Sequence, residues 1–247
     1  MISLKGKTIL ITGASSGIGE ATAILCDSLG ANVILSGRNK EKLAAVAKQL
    51  KNKTIVLAAD LINPMDINSL ANDCPEIDGL ANCAGIVKPL PIKFIRQKNI
   101  DEVMNSNFSS AVLVCSELAT AKKFKEKASV VFISSVSSLH PYLGGALYSS
   151  SKAAIEAFAR SFAIENSTKK IRANVVSPAL VKTKIFTETE EATSKEEMAA
   201  YESQYPLGFG EPVDVANCIA FLLSDASKWI TGTTIKMDGG LLLSSKK

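Results

Sequence analysis

The chain has 247 residues, 47% of them hydrophobic and 21% charged, with a formal net charge of +4. This balance suits a folded protein with a large core rather than a disordered one. The basic stretches at 122–127 and 169–172 are short and interrupted, which argues against a nucleic-acid partner. The longest apolar runs, such as Ile219 to Leu223, cannot span a bilayer, and the first seven residues lack a signal-peptide layout, so a cytoplasmic location without membrane contact is expected.

In chain order, Lys7 to Thr12 reads as a strand that ends in a glycine turn, Thr12-Gly-Ala-Ser-Ser-Gly-Ile-Gly19. Ile18, Ala21, Leu25 and Leu29 then follow helical spacing, and Gly30 supplies a stop. Asn32 to Ser36 is a strand and Asn39 to Leu50 a helix. Thr54 to Ala58 and Gly79 to Asn82 are strands separated by a short helix from near Pro64. A long helix is predicted over 99–124, a strand over 129–133, a helix over 148–166 and a strand over 172–176. Residues 184–210 interrupt the alternation with a polar stretch and are expected to form a substrate lid. The helix 212–223 and the strand 233–237 close the chain. Strands alternating with helices imply a parallel sheet covered on both faces, here a doubly wound α/β domain of seven strands spanning 1–247.

Gly13, Gly17 and Gly19 stand at a strand-to-helix junction. Glycines there allow a tight turn and let the backbone approach a pyrophosphate at the positive end of a helix. Three glycines also occur in ordinary turns, and the strand before and helix after them support the nucleotide reading. The second strand ends in Ser36-Gly37-Arg38-Asn39, with no carboxylate to bind a ribose 2′-hydroxyl. Arg38, assisted by Ser15, would instead pair with a 2′-phosphate, worth roughly 1.5–3 kcal/mol. That predicts NADPH/NADP+ over NADH/NAD+; the bland alternative is an arginine that starts the next helix in solvent.

Tyr148 and Lys152 stand four apart, which on a helix puts them about 5–6 Å apart at Cβ. A full charge at that distance is worth roughly 3 kcal/mol and would lower a phenol pKa by about two units. An exposed Tyr and Lys on an ordinary helix face would show the same spacing. His140 is the only histidine and the five cysteines include no CxxC, so a two-histidine metal motif is excluded and no metal is expected.

Jointly these pieces resemble the compact branch of the short-chain dehydrogenase/reductase family, over almost the whole chain and in the family's order. The resemblance implies a Rossmann-type fold with a cofactor loop that includes Ser15, Ser16 and Ile18. It places Asp60 and Leu61 at the adenine, and matches Asn82, Ala84 and Gly85 to the Asn-Asn-Ala-Gly segment. Pro178, Val181 and Thr183 would hold the nicotinamide end. Asn107, Ser135, Tyr148 and Lys152 match the catalytic tetrad: Tyr148 the proton donor, Ser135 the carbonyl ligand, Lys152 the group that lowers the phenol and holds the ribose, Asn107 the anchor of a proton-relay water. Tyr148 and Lys152 thereby also count among the cofactor contacts. Cys83 stands where the pattern has a second asparagine, and Ala179 where it has glycine. The pattern is most similar to 3-oxoacyl-carrier-protein reductases, which implies an NADPH-dependent ketoreductase. Its substrate would be a small-molecule or acyl-thioester carbonyl, with an acyl carrier protein docked at Lys169-Lys170. A homotetramer or homodimer is expected, through the helices 99–124 and 148–166 and the last strand. A dehydrogenase of a sugar, steroid or other secondary alcohol is the enzymatic alternative, and a non-catalytic nucleotide sensor or scaffold the alternative of another class.

Overall fold

The computed structural model describes residues 2–183 and 195–243. Its strands are β1 (Thr8–Thr12), β2 (Asn32–Gly37), β3 (Thr54–Ala58), β4 (Ile77–Asn82), β5 (Phe124–Ile133), β6 (Arg172–Pro178) and β7 (Thr234–Met237). They form one seven-stranded parallel sheet in the order β3-β2-β1-β4-β5-β6-β7. The helices are α1 (Gly17–Ser28), α2 (Lys40–Ala47), α3 (Pro64–Asp73), α4 (Gln97–Met104), α5 (Ser110–Thr120), α6 (Ala146–Glu165), α7 (Lys195–Glu202) and α8 (Pro212–Leu223). The lid expected over 184–210 is described only from residue 195, where α7 begins; 184–194 lie outside the described residues.

Side chains alternate across a strand, and here both sets are apolar. Leu10, Leu80, Val130 and Phe132 meet Leu70 of α3, Leu118 of α5 and Phe162 of α6 on one face. Ile9, Ile11, Val33 and Val131 meet Ala23 of α1, Leu43 of α2 and Ile219 of α8 on the other. Burial on both faces is why the strands read as continuous apolar runs.

Two helix ends show where the sequence signal was readable and where it was not. After α1, Gly30 at φ +90° donates its N–H to Asp27 O, and Ala31 donates to Cys26 O at 3.0 Å. These two bonds close the helix with a left-handed residue, a role glycine fills without steric cost. After α5 the same pair of bonds recurs, Lys122 to Ala119 O and Lys123 to Leu118 O, but the left-handed residue is Lys122 at φ +54°. With no glycine to mark it, the predicted helix ran on to 124. The chain has turned by then, and Phe124 pairs with Ile77 as the start of β5.

The predicted helix 99–124 is also broken inside. Residues Asn105–Ser109 form a π-turn between α4 and α5, a local widening that recurs at functional sites. Arg172, the last residue of the basic stretch 169–172 and the first of β6, is buried. Its guanidinium donates to Leu222 O at 2.9 Å and Ser224 O at 3.1 Å, carbonyls at the C-terminal end of α8. It therefore serves as a cationic helix cap.

The strand order reverses direction between β1 and β4. A crevice opens there at the carboxyl ends of the strands, where such sheets place their ligands.

Candidate active site

Gly13 and Gly17 adopt φ of +63° and +56° in the turn leaving β1. A Cβ on Gly13 would stand 2.8 Å from Ala84 N, and one on Gly19 would stand 2.2 Å from Gly13 O. The backbone thus folds where only glycine fits, and Ser16 caps α1 without a side-chain bond to its first turn. The start of α1 faces a cleft of about 280 Å³ whose wall includes Ser15, Ile18, Arg38, Asp60, Leu61 and Thr183. The bare glycine cradle, the helix N-terminus and a cleft running from Arg38 to Gly85 fit a dinucleotide with its pyrophosphate at the turn.

Most predicted cofactor residues meet here. Gly13, Ser15, Ser16, Gly17, Ile18, Gly19, Arg38, Asp60, Leu61, Ala84, Gly85 and Thr183 all line the cleft. Thr183 lies over the turn, its Cγ2 3.2 Å from where a Gly17 Cβ would be. Arg38 is exposed, whereas Asp60 is half-buried and accepts from Ile62 N at 3.2 Å. Asn82 departs from the expected placement. It is buried, points its amide at Cys115 Sγ, 3.8 Å away, and is not part of the cleft wall. Pro178 and Val181 also fall outside the cleft wall, with Val181 bridging to Gly210. Sequence reasoning missed Ile62, Ile86, Ser106 and Ser110 in the wall. Ser106 lies within the π-turn and Ser110 directly follows it.

The four residues expected to handle protons converge beyond Gly85. A Cβ on Gly85 would stand 3.1 Å from Asn107 Oδ1 and 3.4 Å from Lys152 Nζ. Asn107, 2% exposed, accepts from Ile86 N at 2.7 Å and donates to Ile86 O at 2.9 Å and Ser151 Oγ at 3.1 Å. Ser151 in turn donates to Tyr148 O at 2.7 Å, which ties the π-turn to the first turns of α6. Both N–H groups of the Asn107 amide are thereby engaged, while Oδ1 keeps one acceptor lone pair beside Gly85.

Lys152 is 4% exposed and donates to Ile133 O at 2.9 Å. Burial pushes its ammonium down to about 8. Tyr148 moves the other way, up to about 12, mainly through burial; a hydrogen bond with Ser135 lowers it in part and the Tyr142 phenol raises it. The expected lowering of the phenol by Lys152 is therefore not found. Nζ stands 5.6 Å from the centre of the Tyr148 ring and gives a hydrogen bond to the Ile133 carbonyl, while desolvation governs the phenol. Ser135 Oγ accepts from Ser137 N at 3.2 Å, which leaves its own proton free to point toward Tyr148.

Cys83 lines the cleft as a protonated thiol, raised to about 12 by burial and partly lowered by a hydrogen bond with Thr22. Among the described residues no group of three or more His, Cys, Asp or Glu side chains could hold a metal.

Comparison with known proteins bears on this arrangement. A family model described as enoyl-(acyl carrier protein) reductase matches residues 13–242. The 3-oxoacyl-[acyl-carrier-protein] reductase of Rickettsia felis is 35% identical over 244 residues, covering 98% of this chain and 100% of that protein. The glucose 1-dehydrogenase of Gluconobacter oxydans is 34% identical, covering 96% and 92%. Among solved structures, a short-chain dehydrogenase/reductase from Brucella melitensis titled glucose/ribitol dehydrogenase has a TM-score of 0.91 at 28% identity, covering 98% and 99%.

Proposed function

The chain belongs to the short-chain dehydrogenase/reductase family, oxidoreductases that act on carbonyl and hydroxyl groups, and from that premise we propose that it is an NADPH-dependent ketoreductase of 3-oxoacyl thioesters. The observation that carries the reading is that Asn107 Oδ1 and Lys152 Nζ meet behind Gly85, a residue of the cleft wall, with Tyr148 one helical turn before Lys152 on α6. Bound NADPH supplies the hydride.

The Gly13–Gly19 turn, with Ser16 and Ile18, holds the pyrophosphate, while Arg38 and Ser15 take the 2′-phosphate. Asp60 and Leu61 border the adenine, and Ala84 and Gly85 form the crevice floor. Thr183 holds the nicotinamide end, on the segment that Pro178 and Val181 support from outside the cleft wall, and Lys152 holds the ribose hydroxyls. Tyr148 gives its proton to the carbonyl oxygen, a positioned acid being worth typically 10²–10⁴-fold. A phenol near 12 is in its acid form at neutral pH, and the same oxygen receives the Ser135 hydrogen bond. Lys152, near 8, is poised to return a proton to Tyr148, and a water anchored at Asn107 extends that route to solvent.

The surroundings favour an apolar substrate tail. Leu139 and Leu143, on the loop between Ser135 and Tyr148, are 59% and 95% exposed, and Leu207 beyond α7 is 85% exposed. Tyr142 of that loop adds to the rise of Tyr148 and is itself raised by burial and, to a smaller extent, by Tyr201 of α7. Tyr201 and Phe209 each stack edge to face on Tyr205, which fits residues 195–210 as part of a lid over the carbonyl. The basic pair Lys169-Lys170 supplies a surface for an acidic carrier protein. Ile164 on α6 and Trp229 before β7 are 74% and 97% exposed, which supports assembly into a homodimer or homotetramer through these elements. No described helix is long and apolar enough to cross a membrane, and we place the enzyme in the cytoplasm.

Oxidation of a sugar or other secondary alcohol is the second reading, favoured by the glucose 1-dehydrogenase at 34% identity. Measuring NADPH consumption across acyl thioesters, ketones and keto-sugars separates the two. Turnover of the thioesters above the sugars is expected, and a preference for sugars would overturn the substrate assignment.

A further inference from the structure

Glu156 is a buried carboxylate that none of the steps above uses. It lies on α6 one turn beyond Lys152 and is 8% exposed. A carboxylate is rarely buried without partners. Its Oε1 accepts two hydrogen bonds of 2.7 Å, from Ser134 Oγ and from Ser138 Oγ. Those two serines flank Ser135. Ser134 precedes it directly, and Ser138 ends the short 3-10 turn Val136–Ser138 that Ser135 caps. The turn is closed by Ser138 N donating to Ser135 O at 3.0 Å and by Ser137 N donating to Ser135 Oγ at 3.2 Å.

A serine hydroxyl is a free rotor unless its lone pairs are engaged. In this turn the Ser137 N–H engages Ser135 Oγ only while the backbone from 134 to 138 keeps its path. Both ends of that path are drawn to one carboxylate oxygen. Charge-assisted O–H···O⁻ bonds of this kind are about twice as strong as neutral ones, and α6 fixes the carboxylate relative to Tyr148 and Lys152. A shift of Ser135 would have to break at least one of these bonds.

We propose that Glu156 is a positioning residue that sets Ser135 against the Tyr148 phenol by clamping Ser134 and Ser138 to α6. The inference rests on the role assigned to Ser135 above. It differs from a purely structural role in one respect: the effect of Glu156 on turnover passes through Ser135.

The test is a double-mutant cycle with NADPH and acetoacetyl-coenzyme A, reading kcat, KM and NADPH affinity. Glu156→Ala is expected to lower kcat about tenfold to a hundredfold, less than full loss of an oxyanion donor, with NADPH affinity unchanged. In a Ser135→Ala background the same change is expected to cost nothing further, the non-additivity of residues acting as one unit. Glu156→Gln keeps an acceptor oxygen and is expected to restore most of the turnover, and Ser138→Ala supplies a milder break of the clamp should Glu156→Ala fold poorly. Equal losses of kcat in both backgrounds, or lost thermal stability with unchanged kcat, would overturn the proposal. A crystal structure of Glu156→Ala gives a readout independent of turnover. Ser135 Oγ is expected to move out of hydrogen-bond range of Ser137 N, and an unmoved Ser135 would refute the clamp. Should Ser135→Ala turn over like the wild type, or the wild type not reduce the thioester, the reading of the site fails instead, and the crystal structure decides the clamp.

Discussion

The two ends of the cleft are built by different means. At the outer end, backbone shapes the surface: Gly13, Gly17 and Gly19 hold conformations or approaches that a Cβ would forbid. At the inner end, behind Gly85, side chains from three segments do so: Asn107 from the π-turn, Ser135 from the turn after β5, Tyr148 and Lys152 from α6. A backbone site tolerates no added atom, whereas a side-chain site tolerates substitutions that keep shape and loses only the chemistry. Damage at the outer end should therefore abolish binding and stability together. Damage at the inner end should separate binding from turnover.

The largest effect is expected at Gly19. In Gly19→Val the new Cβ would meet Gly13 O, 2.2 Å away, and the turn must move. NADPH affinity, followed by nucleotide fluorescence, should fall by more than about a hundredfold, well over 2 kcal/mol, with a lower melting temperature. Normal binding in that variant would break the distinction between the two ends.

Arg38→Ala tests an exception, a side chain that acts at the backbone-built end. It should weaken NADPH by about ten- to hundredfold and leave NADH nearly unchanged, consistent with one charge-assisted contact to phosphate. An unchanged preference between the two nucleotides would remove Arg38 as the reader of the 2′-phosphate.

A third effect, on stability rather than binding, concerns pH. Lys152 has a folded pKa near 8 against an ordinary 10.5. Between those values the unfolded chain binds a proton that the folded one does not, so this group makes the fold more stable as pH rises through that window. Below about 8 its full cost is present. Lys152→Met removes that cost, so its stability relative to wild type should be greatest near pH 7. The difference should shrink by roughly 2–3 kcal/mol at most on approaching pH 10.5, as read by urea unfolding at each pH. A difference independent of pH would show that the ammonium is not desolvated.

The same contrast explains what the sequence made legible. Backbone requirements leave compositional marks, so the Gly13–Gly19 turn, the strand-helix alternation and the Gly30 stop were all readable. Where another residue took a glycine's place, as Lys122 does after α5, the mark vanished and the boundary was misread. The π-turn left no signal in periodicity, so Ser106 and Ser110 escaped notice and the helix looked continuous. The spacing of Tyr148 and Lys152 was visible, but the direction of the phenol's pKa was not. It depends on burial by distant elements and on Lys152 donating to Ile133 O. Asn82 was legible as a residue type in a motif, yet its amide turned toward Cys115, a choice made by core packing.

The most direct test of the central claim is Tyr148→Phe, measured for both NADPH affinity and NADPH-dependent reduction of a 3-oxoacyl thioester. The variant keeps the ring and loses one oxygen, so the nucleotide should bind nearly as in the wild type while kcat falls by about 10²–10⁴-fold. Full turnover in Tyr148→Phe, or a loss of binding equal to the loss of turnover, would contradict the assignment of Tyr148 as the proton donor.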